Sequence, residues 1–190
     1  MEKIDTPVRS RKLLLNVIKR QEMDPKPGID GGPRGDDLYL WDCTIIGPPG
    51  TPWEGGNFQL TMVIPHDYPF RPPDVRFKSR VFHPNIYPDG RICASILDLE
   101  WSPALAQPLL MLLSIQSILD SPILEAPANQ EAANLYMKYR KQYNRKVRAI
   151  CAATHSTTED QLSSENGGMH PSCSAIRRFF MRCLGCCESG

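Results

Sequence analysis

The chain has 190 residues, of which 41% are hydrophobic, and its 22 Lys and Arg against 21 Asp and Glu leave a net charge of +1. That length suits one domain with a real core plus an appendage, and the near balance of charge excludes a surface-wide field that would recruit nucleic acid or membrane. No apolar run approaches the ~20 residues that span a bilayer, the opening MEKIDTPVRS lacks the apolar region of a signal peptide, and the seven Cys are expected to be reduced thiols of the cytosol or nucleus.

Thr6-Pro7 predicts a helix start, with Thr as N-cap and Pro at the first helical position. Leu14, Val17 and Ile18 give that helix one apolar face, and it should stop before Pro25, because the residue ahead of a proline is pushed out of the α region. From Leu38 to Ile46 the alternate positions Tyr39, Trp41, Cys43 and Ile45 are apolar, which predicts a strand. Phe58, Leu60, Met62 and Ile64 repeat the pattern, and Val75 and Phe77 suggest a third strand. Gly47-Pro48-Pro49-Gly50 and Gly55-Gly56 make the first connection short, which favours an antiparallel meander. Pro65 to Leu105 is otherwise Pro-rich and aperiodic, and loops of that length in a small domain are usually functional. Leu109–Leu119 predicts an apolar helix, Asn129 caps another with Glu131 in its first turn, and Arg140–Cys151 predicts a last, basic one. The resulting division is an α+β core over 1–155, a polar flexible linker over 156–172, and a basic, Cys-rich tail over 173–190.

The chemistry gathers in HPNIYPDGRIC. Asn85 brings two amide donors that suit an oxyanion, and Cys93 brings a thiol able to carry an acyl group as a thioester. His, Asn and Cys also form a hydrolytic triad, but that triad needs an imidazole on a separate element. Here all three share one loop, so acyl transfer is favoured over hydrolysis. Arg91 is the cation nearest Cys93 in sequence, and no imidazole base stands close by. Asn85 has a second reading as an Asx turn that braces the loop. His83 is expected to be a structural imidazole bonded to backbone, Tyr87 and Trp101 to pack near the thiol, and Cys43 and Cys151 to be small buried hydrophobes.

These residues stand inside a longer pattern: TIIGPPGTPWEGG (Thr44–Gly56), YPFRPP (Tyr68–Pro73), HPNIY-DG-IC, WSPAL (Trp101–Leu105), LLSIQSIL (Leu112–Leu119) and EAANLY (Glu131–Tyr136). In that order and spacing, from about Val8 to Ala153, the chain resembles the ubiquitin-conjugating enzyme family. The resemblance implies an N-terminal helix, a four-stranded antiparallel meander, an active-site loop and three C-terminal helices. It implies that Cys93 accepts ubiquitin from an activating enzyme and passes it to a substrate lysine or a ligase cysteine, with Asn85 stabilising the oxyanion. No cofactor or metal is expected to be bound, since ATP is consumed by the activating enzyme. Phe70, Pro103, Ala104 and the first helix, through Arg11 and Lys12, are implied to engage RING- or HECT-type ligases and the activating enzyme. Family members often bind a second ubiquitin around the position of Asp30, and an acidic residue there argues against that contact. Two alternatives stand beside this reading: a catalytically weak binding module that kept the fold, and a conjugating enzyme for a ubiquitin-like modifier such as SUMO.

The chain departs from the family pattern in several places. Ala94-Ser95 stands where Leu-Asp is common, and one residue is added between Leu105 and Leu112. Ser121-Pro122-Ile123-Leu124 replaces Asp-Pro-Asn-Pro, and Ala126 replaces the Asp or Ser that orients the incoming lysine. Glu125, next to it, is the candidate substitute.

In the tail, Arg177, Arg178 and Arg182 interleave with Ile176, Phe179, Phe180, Met181 and Leu184, beside Cys183, Cys186 and Cys187. A basic, aromatic stretch with clustered thiols suits a membrane surface and S-acylation. It is expected to place an otherwise cytoplasmic protein at a membrane. The rival readings are zinc ligation by His170, Cys173, Cys183 and Cys186, and an unmodified tail.

Overall fold

The computed structural model describes residues 6–93, 103 and 107–162. Helix α1 spans Thr6–Met23 and stops ahead of Pro25, with Leu14 and Ile18 on its buried face. Four strands follow: β1 (Ile29–Arg34), β2 (Asp37–Ile46), β3 (Asn57–Val63) and β4 (Asp74–Phe77). They pair in sequence order, each antiparallel to the next. The period of two fixes the register, because a slip by one residue would turn every apolar side chain to solvent. Ile29, Ile45 and Phe58 thus lie in one cross-strand row, Gly31, Cys43, Leu60 and Phe77 in the next, and Trp41, Met62 and Val75 in a third. The alternate residues form a polar face, where Arg34 and Lys78 each lie 2.6 Å from Asp42. The Arg34 hydrogen bond leads in holding the Asp42 carboxyl down at about 2.

Helix α2 (Pro108–Asp120) covers the apolar face with Met111, Leu112, Ile115 and Leu119. Each such side chain, fully buried, contributes about 1.5–3 kcal/mol. Gln116 fixes its position by donating to the Ile46 carbonyl at 2.9 Å. Helix α3 (Gln130–Lys138) starts where Asn129 accepts from the Ala132 N–H at 3.0 Å, the cap expected from sequence. Helix α4 (Arg140–Leu162) buries Tyr143, Val147 and Cys151 at i, i+4 and i+8, and is tied to β3 by the Asn57 N–H donating to Thr154 Oγ1 at 3.0 Å.

All four strands that the family resemblance implies are present, although periodicity marks only three of them, and one helix runs beyond its expected end. The apolar alternation marks three strands, and β1, Ile-Asp-Gly-Gly-Pro-Arg, carries none of it. It forms because β2 presents a full ladder to it, and as an edge strand it tolerates Pro33. Helix α4 also runs past residue 155, where the linker was expected to begin. Adding a residue to a helix already formed costs far less than nucleating one.

Candidate active site

Residues 83–93 form a small hairpin added to the end of the sheet. Ile86 and Ile92 pair antiparallel, and the Tyr87 N–H donates to the Arg91 carbonyl at 2.9 Å. The turn depends on Gly90, whose φ of 85° is disfavoured for any residue with a Cβ. It also lets the Phe77 N–H of β4 reach the Gly90 carbonyl at 2.9 Å. A Cβ on Gly90 would lie 2.1 Å from the Phe77 carbonyl oxygen, so the hairpin can approach the strand only with glycine there.

Cys93 closes this hairpin: its N–H donates to the Asn85 carbonyl at 3.0 Å. Of the three described cysteines it alone is partly exposed. Cys43 sits in the core and Cys151 is buried under Trp53; burial pushes both thiols up, away from the thiolate that a nucleophile needs. Their expected role as small hydrophobes is borne out.

Asn85 is 1% exposed and its side chain is engaged. Nδ2 donates to the Ile123 carbonyl at 2.5 Å, and Oδ1 accepts from the Ile123 N–H at 2.8 Å. The side chain therefore braces the segment after α2, while the backbone of the same residue holds Cys93. One of the two amide N–H groups remains without a hydrogen bond among the described residues. A second tie runs from the Asn129 N–H to the Pro84 carbonyl at 2.9 Å. Together these bonds seat residues 121–129, with the exposed Glu125 and Ala126, against the hairpin.

His83 is fully buried, and both ring nitrogens are occupied. Nδ1 accepts from the Asn85 N–H at 3.1 Å, so Nε2 carries the proton and donates to the Ile118 carbonyl at 3.0 Å. This imidazole joins the start of the hairpin to the end of α2 and has no nitrogen left for a substrate or a metal. Burial pushes its pKa down to about 3. In the unfolded chain the group titrates near 6.5, so below that pH the unfolded state binds a proton that the folded state refuses. His83 should therefore cost stability at about 1.4 kcal/mol per pH unit as pH falls from 6 towards 4, and nothing above 7. Denaturant titrations across that range check the slope; a flat profile would mean that His83 protonates in the fold.

Arg91 has partners within the hairpin. Its Nε lies 2.6 Å from Asp89 Oδ2, and its guanidinium sits 5.0 Å from the centroid of the half-buried Tyr87 ring. The partners Asp89 and the Ile118 and Ile123 carbonyls escaped the sequence reading; the two carbonyls are backbone acceptors, which leave no trace in residue types.

Away from this centre, Phe70 is 56% exposed in its Pro-bounded loop, and Arg9 of α1 lies 5.9 Å from its ring centroid. The loop and the first helix, with Arg11 and Lys12 exposed, thus share one surface, and Pro103 is exposed as well. Asp30 is occupied by Gln21 of α1, which donates to it at 2.8 Å. Trp101, Ala104, the tail thiols Cys183, Cys186 and Cys187, and the zinc candidates His170 and Cys173 lie outside the described residues. Among the described residues no helix is long and apolar enough to cross a membrane.

Residues 14–151 match the family model for ubiquitin-conjugating enzymes. The chain is 48% identical over 138 residues to ubiquitin-conjugating enzyme E2 3 of Arabidopsis thaliana, covering 73% of this chain and 91% of that protein. It is 43% identical over 145 residues to ubiquitin-conjugating enzyme E2 2 of Mycosarcoma maydis, covering 76% and 78%. The fold, the hairpin and these matches agree: the chain belongs to the ubiquitin-conjugating enzyme family. It is a ubiquitin-transferring enzyme of the thioester-carrying class.

Proposed function

We propose that Cys93 is the carrier residue. Its thiolate attacks the carbonyl of a ubiquitin thioester on the activating enzyme; a C–S bond forms, and the activating-enzyme thiolate leaves. A substrate lysine then attacks the new thioester: a C–N bond forms, the C–S bond breaks, the amine proton passes to a base, and Cys93 leaves as thiolate. A ligase cysteine takes the same path by thiol exchange, which joins bonds of near-equal energy and needs mainly positioning. The observation that carries this reading is a partly exposed thiol whose backbone is pinned to Asn85.

Asn85 has the donor for the oxyanion in its remaining amide N–H, beside the one spent on bracing. Glu125 orients and helps deprotonate the lysine in place of the acid missing at Ala126. Glu125 is one position removed from that site, so discharge to free lysine should be slow and Ala126→Asp should accelerate it severalfold. Single-turnover discharge of the loaded enzyme measures this; equal rates would mean that the acid has no role here. Phe70, Pro103 and Ala104, with Arg11 and Lys12 on α1, form the surface for RING- or HECT-type ligases and for the activating enzyme. We place the protein in the cytoplasm, held at membranes by acylation of Cys183, Cys186 and Cys187, a reading that rests on the tail sequence.

The experiment is loading with activating enzyme, ubiquitin and ATP. A reductant-labile adduct that Cys93→Ala abolishes is expected. No adduct from the wild type would leave the binding-module reading, and an adduct with SUMO alone would overturn the choice of modifier.

A further inference from the structure

The net charge of +1 conceals an uneven distribution. Between Gln130 and Thr154 six cations face one anion, Glu131. Two of the six are occupied: Lys146 pairs with Glu131 at 2.7 Å and lies 3.7 Å from the Phe82 ring centroid, and Arg140 stacks on Tyr136 at 3.7 Å. The other four, Lys138, Lys141, Arg145 and Arg148, are exposed and make no ion pair among the described residues. Lys141, Arg145 and Arg148 recur at i, i+4 and i+7, so they form one stripe on the outer side of α4, opposite Tyr143, Val147 and Cys151. Lys138 adjoins the stripe at the α3–α4 junction, where a cleft of about 290 Å³ is lined by Lys138, Tyr139, Arg140, Lys141 and Gln142. Beside these cations Met137 is 57% and Tyr139 52% exposed.

A row of unpaired cations with an exposed Tyr and Met at its end has the composition of an interfacial surface. The charges meet anionic headgroups, and the amphipathic side chains sink just below them. Nucleic acid is the weaker fit: a duplex offers the exposed Met137 and Tyr139 no apolar layer to enter, and one exposed ring is no platform for the successive bases of a single strand. The continuation of the chain points the same way. Residues 163–190 issue from α4 itself and carry Arg177, Arg178 and Arg182 among Phe179, Phe180 and Met181. Arg148 lies ~21 Å along the helix from Leu162, and residues 163–176 can extend ~46 Å. The tail can therefore touch the plane that the stripe touches, so that each contact raises the effective concentration of the other.

We propose that the α3–α4 corner, Lys138 with Lys141, Arg145 and Arg148 beside Met137 and Tyr139, is a contact surface for an anionic phospholipid layer. It would orient the catalytic core on the membrane, a role that rests on the tail reading proposed above. The test uses the full chain produced in bacteria, where its cysteines stay unacylated, and vesicles of phosphatidylcholine with or without phosphatidylserine. Wild type should bind only the phosphatidylserine vesicles, and less tightly at high salt. Replacing Lys138, Lys141, Arg145 and Arg148 with Gln should weaken partitioning by ~5-fold for each cation engaged, and more than ~10-fold for all four. Thioester loading of this variant should equal wild type, which shows that it is folded and separates the result from the fate of the carrier reading. Vesicle binding unchanged in the quadruple variant would overturn the proposal. So would binding indifferent to phosphatidylserine, or a variant that loses duplex DNA binding while keeping vesicle binding.

Discussion

Asn85→Ala should separate the two halves of the reaction: loading at Cys93 persists, while discharge to lysine falls by ~10²-fold or more, the usual loss when an oxyanion donor is removed. The same substitution strands the Ile123 N–H and carbonyl, which now have Asn85 as their partner. Losing these two part-buried bonds costs about 1–3 kcal/mol, since a typical hydrogen bond contributes about 0.5–1.5 kcal/mol net. Melting and single-turnover discharge should both be measured on the variant. If the protein is destabilised but discharge is intact, Asn85 only braces the loop and the oxyanion role fails.

Gly90→Ala should be the most destabilising single-methyl change in the active-site hairpin. At φ 85° any Cβ costs roughly 1–2 kcal/mol in conformation, and here it also meets the Phe77 carbonyl oxygen at 2.1 Å. Either the turn or the Phe77–Gly90 hydrogen bond must give way, so a total above ~3 kcal/mol is expected, or a fall in Tm of roughly 6–12 °C for a domain of this size. Gly35→Ala supplies the control: its φ is also positive, at 59°, but nothing lies within 4 Å of the new Cβ. It should show the conformational cost alone. Equal melting of the two variants would mean that the hairpin is not held against β4 by this contact.

The sequence made the centre of the site legible because its chemistry rests on residue types. A thiol after Asp-Gly-Arg, an Asn after His-Pro and the cap at Asn129 each announce a side chain that acts by itself. The strands with apolar alternation were equally plain. What remained hidden depends on partners. β1 is a strand because of Ile45, Cys43 and Trp41 across from it, and Gly31 is there because a Cβ would lie 2.9 Å from Cys43 Sγ. Arg91 adjoins the thiol in sequence yet turns to Asp89, and the Asn85 side chain found its main partners on the backbone of Ile123. The extension of α4 to Leu162 follows from the helix before it, since the added residues are polar and offer little to bury.

The central claim is that Cys93 carries the acyl group, and Cys93→Ser tests it most directly. The hydroxyl can accept ubiquitin from the activating enzyme, but the product is an oxyester, which resists thiol reductants and yields to hydroxide. Cys43 and Cys151 remain in place in this variant, both buried. The account predicts that the wild-type adduct vanishes on reduction, whereas the Cys93→Ser adduct survives it and is released by alkali. A reductant-labile adduct persisting in Cys93→Ser would put the acyl group on another cysteine and contradict the account.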